Sequence, residues 1–190
     1  MLRRPISISE IDRDKNLVTI IYRIVGEGTK FISNIKEGNE IDIMGPLGRG
    51  YDIFSLKNGQ TALLVGGGIG VPPLYELAKQ FSQKEVKIIT ILGFNSKDEV
   101  FYEEEFKKFG ETYISTVDGS IGIKGFVTDI IKKLKEENNL VFDKYYSCGP
   151  VPMLKALVNT VGKDGYISLE NRMACGIGVC YACVCKKKKK

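Results

Sequence analysis

The chain reads as an α/β protein: a β-rich N-terminal segment, then a five-stranded parallel sheet with helices between its strands, then a short cysteine loop. Three observations predict this. Residues 17–25, LVTIIYRIV, are rich in β-branched side chains and too short for a convincing amphipathic helix. From residue 61, apolar runs of strand length alternate with helical stretches of about 10 to 15 residues, the rhythm of a parallel sheet. Residues 174–190, ACGIGVCYACVCKKKKK, gather four of the five cysteines, at Cys175, Cys180, Cys183 and Cys185.

In chain order, LVTIIYRIV predicts a strand, GEGTKF (26–31) a turn, and the alternating EIDIM (40–44) a second strand. GPLGRGY (45–51) punctuates the chain and marks a domain boundary. TALLVGGG predicts a buried strand running into glycines, followed by a helix in VPPLYELAKQF. KIITILGF is the next strand, DEVFYEEEFKKF a helix, TYISTV a strand and GFVTDIIKKLKEE a helix. KYYSCGP, PMLKALVNTV and GYISLE complete the series as strand, helix and fifth strand. The lysine tail is the one low-complexity segment, and no internal repeat is present.

Composition removes several classes of function. The 190 residues, 43% apolar, are enough to bury a core. The net charge of +5 is carried by Lys186–Lys190; without them basic and acidic residues are equal at 23 each. A neutral body with a basic tail is weak evidence for nucleic-acid binding and reads as a solvated tail. There is no histidine, which excludes Ser-His-Asp and Cys-His catalysis, mixed Cys/His zinc sites and a His-ligated Rieske cluster. No apolar run approaches the roughly 20 residues that span a bilayer. MLRRPISISE lacks the apolar core of a signal peptide. Clustered cysteines in a cytoplasmic protein point to metal rather than disulfides.

The cysteine spacing is C-x4-C-x2-C, with Gly176 and Gly178 relaxing the loop backbone. This is the plant-type [2Fe-2S] spacing, in which four thiolates complete the tetrahedra of two irons. A zinc site and unligated thiols are the alternatives; zinc ribbons use paired C-x2-C units, and one is present. For the fourth thiolate, Cys185 stands two residues after Cys183 and so faces the same way in extended chain, while Cys148 sits in a separate turn. VGGGIGVPP (65–73) places Gly66, Gly67, Gly68 and Gly70 between a strand and a helix, with Pro72 suited to the first helical turn. It departs from G-x-G-x-x-G by carrying proline at the third glycine, and a purely structural turn is the alternative. The basic pair before PIS reads by itself as a solvated edge, and Cys148 by itself as a buried structural thiol.

SLENRMACGIGVCYACVC resembles the cluster-binding segment of the electron-transfer subunits of class B dihydroorotate dehydrogenases, in the ferredoxin–NADP reductase superfamily. RPIS, GT, GGGIGVPP and CGIGVCYAC occur in the expected order, and the resemblance spans nearly the whole chain. It implies that Cys175, Cys180 and Cys183 are cluster ligands, with the family's fourth cysteine lying further along than Lys190. It implies an FAD site at Arg4, Pro5, Ile6 and Ser7, at Ile21, Tyr22 and Arg23, and at Gly28 and Thr29. There Arg4 pairs with the pyrophosphate and Ser7 reaches the reactive edge of the isoalloxazine. It implies that NAD lies on Gly66–Gly70 and Pro72, with Cys148, Gly149 and Pro150 near the nicotinamide, and Ser96 and Lys97 towards ribose or phosphate. NAD is expected over NADP because GFNSKDE offers only Lys97 as a cation.

The implied architecture is a partial antiparallel FAD-binding β-barrel in 1–55, a five-stranded Rossmann-like NAD domain in 60–165 and a [2Fe-2S] segment in 166–190. The barrel is partial because the family's flavin motif is preceded by further strands, whereas here it begins at residue 4. The implied function is cytoplasmic electron transport in pyrimidine biosynthesis, in a heterotetramer with an FMN-containing catalytic subunit that oxidises dihydroorotate. Electrons would pass through the cluster to FAD and then to NAD, with no acid or base required of this chain. A small flavin and iron–sulfur subunit of a ferredoxin:NADP or sulfide reductase is one alternative, and a structural zinc protein another.

Overall fold

Thr61–Gly67 (β3) is the strand around which the α/β part of this computed structural model is built. The structure describes residues 4–162, 164–169, 173–177, 179 and 180. Before β3 come β1 (Ile8–Asp12), β2 (Leu17–Ile20) and α1 (Glu27–Ser33). After it come α2 (Pro72–Gln83), β4 (Lys87–Phe94), α3 (Glu103–Lys107), β5 (Glu111–Thr116), β6 (Ile123–Lys124) and α4 (Val127–Glu136). The series ends with β7 (Lys144–Cys148), α5 (Val151–Val161) and β8 (Gly165–Ser168). No helix among the described residues is long and apolar enough to cross a membrane.

The sheet runs β6-β5-β4-β3-β7-β8 with every pairing parallel. The five strands read from the sequence are all there, and a sixth joins them. That strand, Ile123–Lys124, pairs over two residues with the end of β5, too short to leave a periodic signal. Alternate residues of β3 enter different cores, as period-2 geometry requires of a strand covered on both faces. Ala62 and Leu64 pack with Leu74, Leu77, Ala78 and Phe81 of α2 and with Phe106. Leu63 and Val65 pack with Val127, Ile130, Ile131 and Leu134 of α4 and with Leu157. Truncating one of these fully buried side chains, such as Phe81→Ala, would cost about 3–5 kcal/mol.

Several local expectations differ from the structure. GEGTKF is not a turn but the start of α1. Thr29 Oγ1 accepts from the Val25 and Gly26 amides at 3.0 and 3.2 Å and closes the helix start. The strand expected over 17–25 ends at Ile20, and EIDIM forms no strand. Ile41, Ile43 and Met44 are exposed, and among the described residues no strand lies beside them to complete a ladder. The described residues of 1–55 contain one antiparallel pair, β1 with β2, and α1. The helix expected over DEVFYEEEFKKF is reduced to Glu103–Lys107, because Tyr102 holds a left-handed φ of +66° that ends helical continuity. The Tyr102 ring is instead committed to Tyr75, 4.8 Å away between centroids.

The chain packs as two compact units that are not contiguous in sequence. One holds the described residues among Met1–Ile6, Tyr22–Gly50 and Asn171–Lys190; the other holds Ser7–Ile21 and the described residues among Tyr51–Glu170.

Candidate functional site

In the larger unit, strand order reverses direction beside β3. Successive strands β4 and β5 lie to one side of β3, and β7 and β8 to the other. A parallel sheet opens a crevice outside the carboxyl ends of its strands at such a point, where ligands are bound. Both glycine segments singled out from the sequence end there. β3 runs into a 3-10 turn over Gly68–Gly70 and then α2, with Pro72 and Pro73 in its first turn. β7 ends at Cys148, which is level with Gly66 in the β3–β7 register, and Gly149 and Pro150 follow.

The two turns touch. A β-carbon on Gly70 would lie 2.3 Å from the Cys148 carbonyl oxygen, and one on Gly67 would lie 3.2 Å from Pro150 Cδ. One on Gly149 would lie 3.1 Å from the Gly67 nitrogen. Gly66 is close to Val71 and Leu74, so its missing side chain lets α2 pack onto the strand. Gly68 is different: its φ is +52° and nothing comes within 4 Å of a β-carbon placed there. The turn is therefore tight on its protein side and open at Gly68, and it leads into the N-terminus of a twelve-residue helix. A dinucleotide phosphate fits a cradle of this form. Cys148 is buried at 4% exposure and belongs to the same core as Leu64 and Leu74.

Two residues that the sequence did not single out shape this crevice. Tyr51, read only as the end of GPLGRGY, donates its hydroxyl to the Ser147 carbonyl at 2.9 Å, and Ser147 Oγ donates to the Val65 carbonyl at 2.7 Å. Burial, then the neighbouring Cys148 charge, push the Tyr51 hydroxyl well above its usual range. Met153 in α5 lies under both Gly67 and Gly149, where a β-carbon would meet its sulfur at 2.5 and 3.2 Å. Its residue type alone carries no signal for that position. Ser96 and Lys97 follow β4, where the Lys97 amide donates to Ser120 Oγ at 2.8 Å. Ser120 in turn bonds Asp118 through its hydroxyl and amide, which hold that carboxyl below its ordinary value.

In the smaller unit, Arg4 and Gly28 are brought together. A β-carbon on Gly28 would stand 2.7 Å from Arg4 Nε, so the arginine lies across the helix exactly where glycine leaves space. Gly28 and Thr29 are buried, whereas Pro5 and Arg23 are exposed and Ile6, Ile21 and Tyr22 are half-buried. Ile21 and Ser7 belong to the larger unit.

The cysteine loop is described through Cys180. The Cys180 amide donates to Cys175 Sγ at 3.4 Å. That amide first, then the Cys180 thiol, then the Ile177 amide, draw the Cys175 thiol down from 9.0 to about 6. Gly176 makes the loop possible at φ +74°, where a β-carbon would press on Leu47 at 3.0 Å. None of Cys148, Cys175 and Cys180 is in a disulfide. Among the described residues no three His, Cys, Asp or Glu side chains gather to hold a metal. Cys183 and Cys185 lie outside the described residues. A thiolate facing several N–H groups is a donor that suits iron or zinc.

Residues 170–190 match the iron–sulfur cluster binding domain of dihydroorotate dehydrogenase B, and residues 64–159 match an oxidoreductase NAD-binding domain. The chain is 84% identical over 190 residues to the dihydroorotate dehydrogenase B (NAD(+)) electron transfer subunit of Fusobacterium nucleatum subsp. nucleatum, covering all of this chain and 73% of that one. It is 59% identical over 186 residues to the protein of the same name from Bacillus pumilus, covering 97% and 70%. Among solved structures, the NADH-dependent reduced ferredoxin–NADP oxidoreductase studied for flavin-based electron bifurcation aligns with a TM-score of 0.84 at 33% identity. That alignment spans 96% of this chain and 66% of that one. The cytochrome b5 reductase domain of Ulva prolifera nitrate reductase shares the fold, with a TM-score of 0.60 at 17% identity over 80% of this chain and 72% of that one. The glycine crevice and the cysteine loop each fall inside the matched segment expected to carry them, and the chain belongs to the dihydroorotate dehydrogenase B (NAD(+)) electron transfer subunit family.

Proposed function

We propose that this chain takes electrons from a partner subunit that oxidises dihydroorotate on FMN and delivers them to NAD, in a cytoplasmic assembly of two copies of each subunit. The observation that carries the reading is the glycine turn at the sheet's switch point, open at Gly68 and packed against Cys148–Pro150 through Gly67 and Gly70. Bound, the [2Fe-2S] cluster carries single electrons, FAD collects two, and NAD accepts them as a hydride.

Each segment has a part. Gly66, Gly67, Gly68 and Gly70 hold the dinucleotide phosphates on backbone amides at the head of α2, and Pro72 fixes the helix start. Cys148, Gly149 and Pro150 wall the nicotinamide side, with Ser96 and Lys97 towards the adenosine end. Arg4 supplies a bidentate guanidinium for the FAD pyrophosphate, beside Gly28 and Thr29, while Pro5, Ile6, Ile21, Tyr22 and Arg23 border the flavin and Ser7 reaches its reactive edge. Cys175, Cys180 and Cys183 ligate the cluster. Residues 1–55, 60–165 and 166–190 are the corresponding flavin, nucleotide and cluster divisions, the first as part of a flavin barrel.

The test is to express the full-length subunit with a dihydroorotate-oxidising FMN partner and follow NAD reduction. Dihydroorotate-dependent NADH formation is expected, together with flavin and iron–sulfur absorbance in the purified complex. Cys180→Ser should abolish NAD reduction while the partner still reduces its own FMN. NAD reduction that survives without the cluster would overturn the electron path, and a colourless protein containing zinc would overturn the whole reading.

A further inference from the structure

Three successive residues of β1 are each bonded to the nucleotide fold. Ser9 is fully buried, and its hydroxyl lies 3.1 Å from that of Tyr102. Lys79 Nζ donates to Glu10 Oε1 at 2.9 Å and to the Ile11 carbonyl at 3.3 Å. The Ile11 amide donates to Glu76 Oε2 at 3.0 Å. Gln80 donates to the other Glu76 oxygen at 2.7 Å, which fixes the rotation of that carboxylate.

These bonds depend on local departures from regular structure. The β1–β2 register shifts between Ile8 and Glu10, which frees Ser9 from the ladder and turns it inward. Tyr102 keeps a backbone conformation that non-glycine residues rarely adopt, and in doing so aims its hydroxyl at Ser9. Glu76 and Lys79 are three residues apart on α2, so they present one face to one strand. Side-chain exposure of about 30% at both Lys79 and Glu10 leaves the pair partly shielded from solvent. The two connected elements have distinct neighbours in sequence. β1 begins directly after Ser7, and α2 begins one residue after the Gly66–Gly70 turn, with Val71 between them.

We propose that Glu76, Lys79 and Tyr102 are positioning residues that hold the strand following Ser7 at a fixed offset from the nucleotide-cradling turn at the head of α2. The proposal rests on the reading above that Ser7 serves the flavin and the glycine turn serves NAD. Four separate bonds on three consecutive residues exceed what is needed to dock a surface hairpin. They fix its slide, its tilt and its distance from the helix together. Reacting groups held by the two segments keep their separation only while this clamp is closed, and about 1 Å of misplacement is enough to slow a reaction by up to about a hundredfold.

The experiment uses the full-length subunit in its complex and the variants Lys79→Met, Lys79→Arg and Tyr102→Phe. Hydrogen exchange at the amides of residues 9–11 reports the clamp itself, and visible absorbance reports flavin content. In Lys79→Met, exchange should quicken and kcat for NAD reduction should fall about tenfold, with flavin content unchanged and KM for NAD within about twofold. Lys79→Arg, which keeps the bond to Glu10, should restore kcat to within about threefold. Tyr102→Phe removes one hydroxyl without disturbing the ring packing and should move both readouts the same way by about threefold, so a folding failure of Lys79→Met does not decide the matter. Faster exchange with unchanged kcat would reduce the clamp to a structural contact and overturn the proposal. A raised KM at constant kcat would do so as well, by making Lys79 a nucleotide contact. A wild-type complex without flavin would instead overturn the underlying reading, while the exchange data would still report whether the clamp exists.

Discussion

Gly70 sits against the backbone of Cys148, so close that a β-carbon at residue 70 would be 2.3 Å from the Cys148 carbonyl oxygen and 2.6 Å from the Gly149 nitrogen. The obstacle is main chain, so no rotamer change can relieve it. Gly70→Ala must therefore push the exit of β3 away from the exit of β7. We expect it to lower stability by about 1–3 kcal/mol and to weaken NAD binding at least tenfold, measured by urea unfolding and NAD titration. Gly68→Ala is the contrast, since the space there is open and only its positive φ matters. Its cost should stay near 1–2 kcal/mol. Equal NAD affinity in the Gly70 variant and the unchanged chain would contradict this account of the crevice.

Tyr51 predicts a pH dependence. Its hydroxyl donates to the Ser147 carbonyl, and burial together with the nearby Cys148 charge raise its pKa from 10.0. A raised folded-state value favours the protonated form, so the stabilisation is complete below the unfolded value and is lost as pH climbs above about 10. Other tyrosines share this direction, including Tyr145 and Tyr146 in β7. Tyr51→Phe should therefore cost about 1 kcal/mol near neutral pH. It should also make the alkaline decline of stability shallower, by up to about 1.4 kcal/mol per pH unit. Unfolding curves at pH 7 and across pH 10 to 11 would measure both effects, and an unchanged alkaline slope would contradict the second.

Legibility in the sequence followed the number of partners each segment has. The strands β3 and β4 were readable because parallel strands covered on both faces need continuous apolar runs, and KIITILGF coincides with Lys87–Phe94 residue for residue, while β5, β7 and β8 were readable from their place in the strand–helix alternation. The glycine turn was readable for the same reason, since its neighbours demand the absence of side chains. What misled was the segment whose pairing is weak or missing. EIDIM alternates like a strand, yet Ile41 and Ile43 have no ladder to join, so propensity alone decided nothing. GEGTKF carries two glycines and still forms α1, because Thr29 Oγ1 satisfies the amides at its start. Ser9, Glu76 and Lys79 could not be read at all. A bond between residues separated by 65 or more positions leaves no local pattern, and the register shift that turns Ser9 inward depends on β2.

Gly28 separates stability from cofactor retention. Its missing side chain accommodates Arg4, whose Nε would be 2.7 Å from an added β-carbon. The obstacle here is a flexible side chain that can swing away. Gly28 also lies inside α1, where alanine is the better helix former by about 1 kcal/mol. Gly28→Ala should thus leave the melting temperature unchanged or slightly higher. At the same time it displaces the guanidinium and should weaken FAD retention about tenfold or more, the worth of one charge-assisted contact. Visible absorbance after desalting the full-length subunit measures retention. Full flavin content in this variant would separate Arg4 from the pyrophosphate role.

Cys175 and Cys180 form the part of the cluster loop that makes the final prediction. The Cys180 amide and thiol, with the Ile177 amide, draw the Cys175 thiol down to about 6, which favours the thiolate that iron requires. Serine keeps the shape of cysteine but offers a hard hydroxyl that remains protonated, a poor ligand for iron. Cys175→Ser and Cys180→Ser should each remove the cluster's visible absorbance and lower iron per chain at least tenfold. Cys148 is the informative control. It is buried in the strand core and belongs to the other compact unit, so Cys148→Ser should leave iron content unchanged while disturbing the end of β7 beside the glycine turn. Iron and acid-labile sulfide assays on the three variants of the full-length subunit would measure this. Loss of iron in Cys148→Ser, with the other two retaining it, would move the cluster away from the 175–183 loop.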